Sequence, residues 1–320
     1  MTYFQKNFFN VTILCTLLLL QTLNMMFTIN AQSLPPPATR LTGLFPRLDF
    51  NHDFVPIFGG PNVQIYSNGS FANITLNKKS GSGLASKNHY NYGFFSAAIK
   101  LPTGFTSGIV VAFYMSNSDM FPHNHDEIDF ELLGHQNHKD WILQTNMYGN
   151  GSVSTGREEK FRLWFDPTTQ FHEYSILWNK HHIVFLVDNI PIREVIHTQA
   201  ISRAYPSKPM AVYATIWDAS DWATHGGKYP VNYKYAPFVA SIGQTEMSGC
   251  THDPNDVSGK SCSNSSTTSS MLDPIDGLEF VKLSNQQIKG LQWARSRQMI
   301  YSYCNDKRRY KVKLPECSTI

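Results

Sequence analysis

The 320-residue chain is poor in charge. Charged residues make up 16% of it and the formal net charge is +3, whereas an average globular domain is about 25% charged. A protein whose main task is to bind a polyanion such as nucleic acid needs a strong positive excess. The composition therefore argues against a nucleic-acid partner.

Long apolar runs are also missing beyond the first thirty residues. Those residues carry one charge, Lys6, and residues 11–20 are almost wholly apolar. This run is about half of the roughly 20 residues that a membrane-spanning helix needs, which argues against a membrane anchor. The pattern predicts a secretory signal peptide at residues 1–31, with cleavage near Ala31. We therefore expect a secreted protein without a membrane anchor or a retention signal.

Cysteine is scarce and confined to one part of the expected mature chain. Of five cysteines, Cys15 lies in the predicted signal, and the last quarter of the chain holds Cys250, Cys262, Cys304 and Cys317. Export favours disulfides, and four cysteines allow three pairings. Proximity favours Cys250–Cys262 and Cys304–Cys317. A zinc site is the alternative, but no CxxC or paired Cys-His spacing supports it.

Aromatic residues, in contrast, are plentiful at 13% of the chain, enough for a sizeable core and against disorder. Residues 50 to 238 form short alternating segments between Gly, Asn, Asp and Pro clusters. Many evenly spaced strands without helical periodicity predict an all-β fold, a jelly-roll β-sandwich of two antiparallel sheets. A helical pattern is convincing only at 286–303, where it leads into a final strand.

The chemistry concentrates in one predicted strand, residues 125–134. Successive side chains of a strand alternate between faces, so Glu127, Asp129 and Glu131 share one face and the apolar residues between them share the other. Three unpartnered carboxylates cannot form a core face. We therefore expect this face to line a wet cleft.

Spacing also indicates what these carboxylates could do. The Cα atoms of Glu127 and Glu131 should lie roughly 13 Å apart. Two glutamate side chains reaching towards each other then bring their carboxyl groups near the separation of about 5–5.5 Å that retaining glycosidases use. A calcium site and a solvated charged face are the alternatives. Calcium loops place oxygen ligands along turns, whereas this run is strand-like.

The segment HDEIDFELLG at 125–134 resembles the active-site strand of the plant xyloglucan endotransglucosylase/hydrolases in glycoside hydrolase family 16. The usual family form has Phe where this chain has Leu132. The similarity continues through residues 144–151, 156–159, 163–168, 171–179, 217–228 and 232–238. The tail at 299–306 resembles the C-terminal extension of these proteins, so the resemblance covers nearly the whole mature chain.

The resemblance implies the following organisation. A family-16 catalytic domain with a concave glycan-binding cleft occupies 32–246, and a short disulfide-bearing C-terminal extension occupies 247–320. Glu127 is the nucleophile, Glu131 the general acid/base that donates the proton, and Asp129 the assisting carboxylate. Neither a cofactor nor a metal is implied.

The same matches imply a set of sugar-binding residues. Besides Glu131, they are Gln144, Thr145, Asn146, Gly156, Arg157, Glu158, Asp221, Trp222, Gly226 and Arg309. Trp217 joins this set because flat aromatic rings stack on sugar faces, although a core position is the alternative for either tryptophan. His123, His125 and His138 flank the carboxylate strand without tetrahedral spacing, so they support a metal site only weakly.

We therefore expect a monomeric cell-wall enzyme that cuts xyloglucan and transfers the fragment to a xyloglucan or oligosaccharide acceptor. The alternatives are a predominantly hydrolytic enzyme, a non-catalytic glycan-binding sandwich and a calcium-stabilised adhesion domain. Two departures from the family stand out: a Tyr-rich segment after Lys228, and no glycosylation sequon directly after the catalytic strand. Sequons that could carry glycans in an exported chain begin at Asn68, Asn73, Asn150 and Asn264.

Overall fold

Alternating apolar and polar residues produce a fold built almost entirely from strands. The structure is a computed structural model that describes residues 34–136, 140–252, 275 and 277–318. Residues 38–320 group into one unit, and residues 1–37 belong to a separate one. The predicted signal peptide, His138, Cys262 and Asn264 lie outside the described residues. None of the helices in the described part is long and apolar enough to span a membrane.

One sheet of the described chain has eight antiparallel strands. Their order across the sheet is β1-β4-β13-β6-β7-β8-β9-β15. The ranges are β1 Phe54–Phe58, β4 Ser82–Ser86, β6 Ile109–Ser116, β7 Glu127–Leu133, β8 Ile142–Tyr148, β9 Glu159–Arg162, β13 Ala211–Asp218 and β15 Met299–Ser302. The carboxylate strand β7 lies near the middle, so both of its neighbours can contribute side chains to the same face.

The other sheet has seven antiparallel strands in the order β12-β11-β10-β5-β14-β3-β2. The ranges are β2 Val63–Tyr66, β3 Phe71–Leu76, β5 Tyr90–Lys100, β10 His172–Trp178, β11 His182–Val187, β12 Ile190–Ile196 and β14 Phe238–Thr251. Of two one-turn helices, α1 at Phe50–Asp53 directly precedes β1, and α2 at Ala223–Gly226 lies between β13 and β14.

The core lies between the two sheets. Phe130 projects from β7 into it and contacts Phe185 and Tyr174 edge-on, at centroid distances of 5.2 and 5.9 Å. Trp141 and Trp178 are among the largest fully buried side chains. Such rings bury large apolar areas and account for much of the high aromatic content. The predicted two-sheet, all-β jelly roll is confirmed.

The C-terminal residues add one long helix and one strand. Helix α3 spans Asn285–Arg297 and begins with a capping box, in which Ser284 and Gln287 satisfy each other's backbone N–H groups. Strand β15 follows and pairs with β9 at the edge of the eight-stranded sheet. The predicted helix leading into a strand is confirmed.

The predictions of two disulfides and of a domain boundary in this region have different outcomes. The predicted disulfide Cys304–Cys317 is present, with Cα atoms 5.4 Å apart. The Cys250–Cys262 pairing stays a prediction, because Cys262 lies outside the described residues. The domain boundary between 246 and 247 also stays a prediction, and strand β14 runs across it as far as Thr251.

Candidate active site

The three acidic residues of β7 lie on one face of the eight-stranded sheet. Glu127, Asp129 and Glu131 all line one cavity of about 410 Å³. The opposite face of the strand is fully buried in the core and consists of Ile128, Phe130 and Leu132. The alternation of side chains along β7 therefore places the carboxylates in the cavity and the apolar residues in the core, as the sequence predicts.

Glu127 is held by a residue of the neighbouring strand. In the register of β7 with β8 it lies opposite Tyr148, whose hydroxyl donates a 2.7 Å hydrogen bond to Glu127 Oε1. The His125 Nε2 atom lies 3.2 Å from the same hydroxyl. Burial and the nearby carboxylates raise the pKa of Tyr148 far above its usual value, so this phenol stays a proton donor. The Glu127 carboxylate is thereby fixed through one of its two oxygens.

Glu131 has the properties of an acid that works near neutral pH. Burial, supported by the charge of Glu127, raises its pKa to about 7. Its register neighbour Gln144 donates a hydrogen bond to Glu131 Oε2 and partly opposes this rise, as does the charge of Lys160. A carboxylic acid that is half protonated at neutral pH can both give and accept a proton.

Asp129 lies between the two glutamates and is almost completely buried. Burial and the charges of Glu127 and Glu131 raise the pKa of Asp129 well above its usual range, against the opposing charge of Arg193. The Asp129 carboxyl is also hydrogen-bonded to Glu127. A protonated Asp129 can donate this bond, and it then orients Glu127 without adding a third negative charge.

The groove extends to both sides of these carboxyl groups. A second cavity of about 830 Å³ shares Glu131, Asn146 and Tyr148 with the first. The first is also lined by Phe58, Tyr114, Thr215 and Trp217, and the second by Gln144, Val153, Glu158, Lys160, Trp222, Tyr301 and Arg309. The two cavities form one open trough across the strands, with the acidic residues in the middle.

Comparison with known families agrees with this geometry. Residues 50–235 match the model of glycosyl hydrolases family 16, and residues 265–317 match that of the xyloglucan endo-transglycosylase C-terminus. The probable xyloglucan endotransglucosylase/hydrolase protein 27 of Arabidopsis thaliana is 48% identical over 272 residues, which cover 85% of this chain and 79% of that protein. The chain belongs to the xyloglucan endotransglucosylase/hydrolases of family 16.

Other relatives and folds point the same way. Xyloglucan endotransglucosylase protein 2 of Diospyros kaki is 38% identical, over 84% of this chain and 87% of its own. A lichenase from a mouse hindgut metagenome has a TM-score of 0.50 at 21% identity, covering 62% of this chain and 96% of its own. Crh5 transglycosylase with NAG has a TM-score of 0.52 at 20% identity, covering 69% and 88%. At these identities the two solved structures show the fold alone.

Most of the family-derived binding residues do line the trough. Gln144 and Asn146 project from β8 beside Glu131 and Asp129. Glu158 and Arg309 face the second cavity and are joined by a 2.6 Å ion pair. The side chain of this arginine comes from the C-terminal extension, which thus forms one wall of the groove.

The two tryptophans belong to different parts of the trough. Trp217 lines the first cavity and Trp222 the second, and their ring centroids are 5.9 Å apart. Trp222 is 38% exposed. It also borders a third cavity of about 740 Å³, together with Gly226. Both rings therefore line the trough, and Trp217 also packs against a buried cluster that includes Val110 and Ala219. Their role as sugar platforms stays a prediction.

Three predicted contacts are placed differently. Thr145 is fully buried on the core side of β8, where its hydroxyl accepts a 3.0 Å bond from Arg193, so it does not line the groove. The Arg157 guanidinium turns away to a buried 2.6 Å ion pair with Glu316. Asp221 is exposed and lines none of the three cavities described above. For Thr145, strand alternation between Gln144 and Asn146 explains the difference.

Gly156 and Arg157 act on the groove indirectly. The Gly156 Cα approaches Glu158 and Arg309 so closely that a Cβ would collide with both side chains. The backbone N–H of Arg157 donates a 2.9 Å bond to Asn146 Oδ1. Because the oxygen of this amide is occupied, its Nδ2 group is the one left to meet a ligand.

Sequence reasoning missed several groove residues, above all Tyr148, Lys160 and Tyr114. Tyr114 lies opposite Asp129 on β6, and Tyr148 lies opposite Glu127 on β8. The strand register is the signal that would have found them. Among the described residues no group of three or more His, Cys, Asp and Glu side chains is arranged to hold a metal ion. His125 instead contacts Tyr148.

Proposed function

We propose that this chain is a xyloglucan endotransglucosylase/hydrolase that cleaves the β-1,4-glucan backbone of xyloglucan with retention and transfers the fragment to another xyloglucan chain. One observation carries the proposal. A glutamate with a pKa of about 7, Glu131, and a glutamate fixed by a tyrosine hydroxyl, Glu127, face the same open trough.

In the first half of the cycle Glu131 donates its proton to the glycosidic oxygen while Glu127 attacks the anomeric carbon. The C–O bond to the leaving chain breaks, and a covalent ester between the sugar and Glu127 forms. Asp129 keeps Glu127 oriented through their hydrogen bond. The leaving chain departs with the proton from Glu131.

In the second half the now ionised Glu131 accepts a proton from an incoming sugar hydroxyl. That oxygen attacks the anomeric carbon, the ester to Glu127 breaks, and both carboxyl groups return to their starting states. Two inversions leave the β-configuration unchanged. Water in place of the sugar hydroxyl gives hydrolysis, which is the second candidate activity.

The shape of the trough supports transfer. A cavity lies on each side of Glu131, with Trp217 in one and Trp222 with Arg309 in the other. A long polymer can therefore bind on both sides of the bond that breaks, and an acceptor can take the place of the departed chain. The names of the relatives from Arabidopsis thaliana and Diospyros kaki agree with this assignment.

We further propose that the protein acts as a monomer in the cell wall after export and removal of residues 1–31. The expected signal peptide, the sequons and the Cys304–Cys317 disulfide support this location, because such bonds persist in oxidising compartments. Near-neutral charge also suits a neutral polysaccharide substrate.

The test is incubation with xyloglucan in the presence of a fluorescent xyloglucan oligosaccharide. We expect label to enter the polymer, and Glu127→Ala to lower this incorporation by about 10⁴-fold or more while binding of the oligosaccharide persists. Glu279→Gln, a change of an exposed glutamate, is the matched control and should retain full activity.

Three other outcomes decide between the candidates. Loss of viscosity without incorporation would establish the hydrolase. Binding without either activity would establish a glycan-binding sandwich. Full activity of Glu127→Ala would overturn the assignment of the nucleophile.

A further inference from the structure

An aromatic patch lies on the outer face of the seven-stranded sheet, on the side away from the groove. Tyr66 and Phe71 lie directly opposite each other on β2 and β3. The Phe71 ring lies over Gly243 and 5.7 Å from the ring of Phe171. Tyr66 is 45% exposed and Phe171 39% exposed. These three rings, Tyr66, Phe71 and Phe171, form what we call the outer aromatic patch.

A glycosylation sequon lies on the same face. Along β3 the residues Ala72, Ile74 and Leu76 are buried, so Phe71, Asn73 and Thr75 point outwards. The Cα atoms of Phe71 and Asn73 are therefore about 7 Å apart on one side of one strand. The side chain of Asn73 makes no hydrogen bond to any residue in the described part of the chain. Its amide is free to be modified.

Sequence alone does not distinguish this sequon, because two others also follow an aromatic residue by two positions. Asn150 follows Tyr148, but that ring belongs to the groove and its hydroxyl is bonded to Glu127. Asn150 itself lies in a turn with φ of 52° and donates to the Arg203 carbonyl at 3.1 Å. At this sequon the side chains of Asn150 and Tyr148 therefore do not lie side by side.

The sequon at Asn68 is also placed differently from that at Asn73. Asn68 lies in the turn between β2 and β3, with φ of 52°, rather than on a strand. Only in β3 does regular strand geometry put the sequon asparagine and the preceding ring side by side, among the sequons that the structure describes.

We propose that Asn73 carries an N-linked glycan whose first N-acetylglucosamine packs against Phe71 and covers the outer aromatic patch. The modification transfers an oligosaccharide from a lipid pyrophosphate donor of the secretory pathway. The bond from sugar C1 to the phosphate oxygen breaks, the bond from C1 to Asn73 Nδ2 forms, and the nitrogen loses one proton. The inference depends on export but not on the catalytic activity.

The physical reason is that the patch otherwise leaves apolar ring surface in water. The C–H groups of a pyranose ring pack favourably on the flat face of an aromatic ring. The sugar therefore stabilises the β2–β3 hairpin by contact with Phe71.

The experiment uses the full chain secreted from yeast, with site occupancy read by peptide mass spectrometry. An endoglycosidase then trims each glycan to its first N-acetylglucosamine. We expect the trimmed protein to keep the Tm of the untreated protein. Thr75→Ala, which removes the sequon but keeps Asn73 and Phe71, should lower the Tm by about 2 °C or more. Asn73→Gln serves as a second variant.

Combining removal of the sequon with a substitution of Phe71 isolates the contact between the sugar and the aromatic ring. In a Phe71→Ser background, we expect the difference in Tm between the trimmed protein and its Thr75→Ala version to disappear. Ser152→Ala, which removes the sequon at Asn150 in the same way, is the matched control and its effect should not depend on Phe71. An unmodified Asn73 in the secreted protein, or a glycan effect of equal size with and without the Phe71→Ser change, would overturn the proposal.

Discussion

Glu131 must give a proton in one half of the proposed cycle and take one in the other, so its pKa must lie near the working pH. Burial and the charges of Glu127 and Glu158 raise it, whereas the hydrogen bond from Gln144 and the charge of Lys160 lower it, and the result is about 7. The residues around Glu131 thus set the upper end of the pH range for activity.

Substitutions of two neighbours of Glu131 should shift the pH profile of activity in opposite directions. Above the pKa of Glu131 the protonated fraction, and with it kcat/KM for xyloglucan, should fall tenfold per pH unit. Gln144→Leu removes a bond that favours the ionised form, so this limb should move to higher pH. Glu158→Gln removes a negative charge, so the limb should move to lower pH. Initial rates from about pH 5 to 9 provide the measurement.

Both residues also line the groove, so a substitution could weaken sugar binding as well. Weaker binding lowers kcat/KM at every pH, whereas a changed pKa of Glu131 moves the high-pH limb of the profile. Asn91→Ser, at a residue of β5 that lines neither cavity of the trough, is the control and should leave the profile unchanged. A limb that stays in place in both variants would show that another group than Glu131 titrates.

At the scale of residues, the sequence predicted the acidic triad because the rule it depends on is local. Alternation along one strand places Glu127, Asp129 and Glu131 on one face whatever the rest of the chain does. The same rule separates Thr145 from its neighbours, although the family resemblance groups all three as contacts. Tyr148 was not predicted, because its place opposite Glu127 depends on the register between β7 and β8, which the connecting loop does not reveal.

At the scale of elements, the C-terminal extension reaches the groove through an unbroken set of contacts. The Cys304–Cys317 disulfide holds Cys317 in place, and with it the preceding residue Glu316. The Glu316 carboxylate forms a buried ion pair with Arg157. The backbone of Arg157 in turn holds the Asn146 amide. The extension therefore helps to position the groove residue Asn146 through Arg157.

Glu316→Gln tests this set of contacts. Removing one partner of a buried ion pair leaves the Arg157 charge unpaired and should lower the free energy of unfolding by about 3 kcal/mol. We also expect KM for xyloglucan to rise several-fold with kcat little changed, because Asn146 loses its fixed orientation. Denaturant titration and steady-state kinetics measure the two effects.

Arg40→Gln is the matched control, since Arg40 is 73% exposed beside Glu173 and surface pairs contribute about 0–1 kcal/mol. If Glu316→Gln lowers the stability but leaves KM unchanged, the ion pair holds only the fold and has no part in positioning Asn146.

The sequence predicted helix α3 and the strand after it from local signals, including periodicity at 286–303. It did not predict that β15 completes the eight-stranded sheet by pairing with β9, some 140 residues earlier. Pairing between distant segments is decided by packing in three dimensions, which no local pattern encodes. The helix and the strand of the extension can therefore be predicted from the sequence, whereas the pairing of that strand with the sheet cannot.

At the scale of the whole molecule, the C-terminal residues cover the sandwich from the outside. Ile275, Phe280 and Leu283 pack on the outer face of the seven-stranded sheet, with Phe94 and Leu186 beneath them. Trp293 of α3 contacts Trp164, in the connection between β9 and β10, at a centroid distance of 5.0 Å. The extension has too few residues for a core of its own, and the sandwich depends on it for cover.

Removal of this cover gives the last prediction. A chain that ends at His252 exposes Phe94 and Trp164 and uncovers the edge strand β9. It also takes away Arg295, which pairs with the buried Glu159 at 2.7 and 3.1 Å. Exposed apolar surface, an open sheet edge and a buried carboxylate with one fewer partner each destabilise the fold. We therefore expect aggregation and no cooperative thermal transition, whereas a chain ending at Ser318 should unfold like the full chain. A cooperative transition of the shorter chain at the full-length Tm would show instead that the sandwich folds alone, and that the extension serves only the groove.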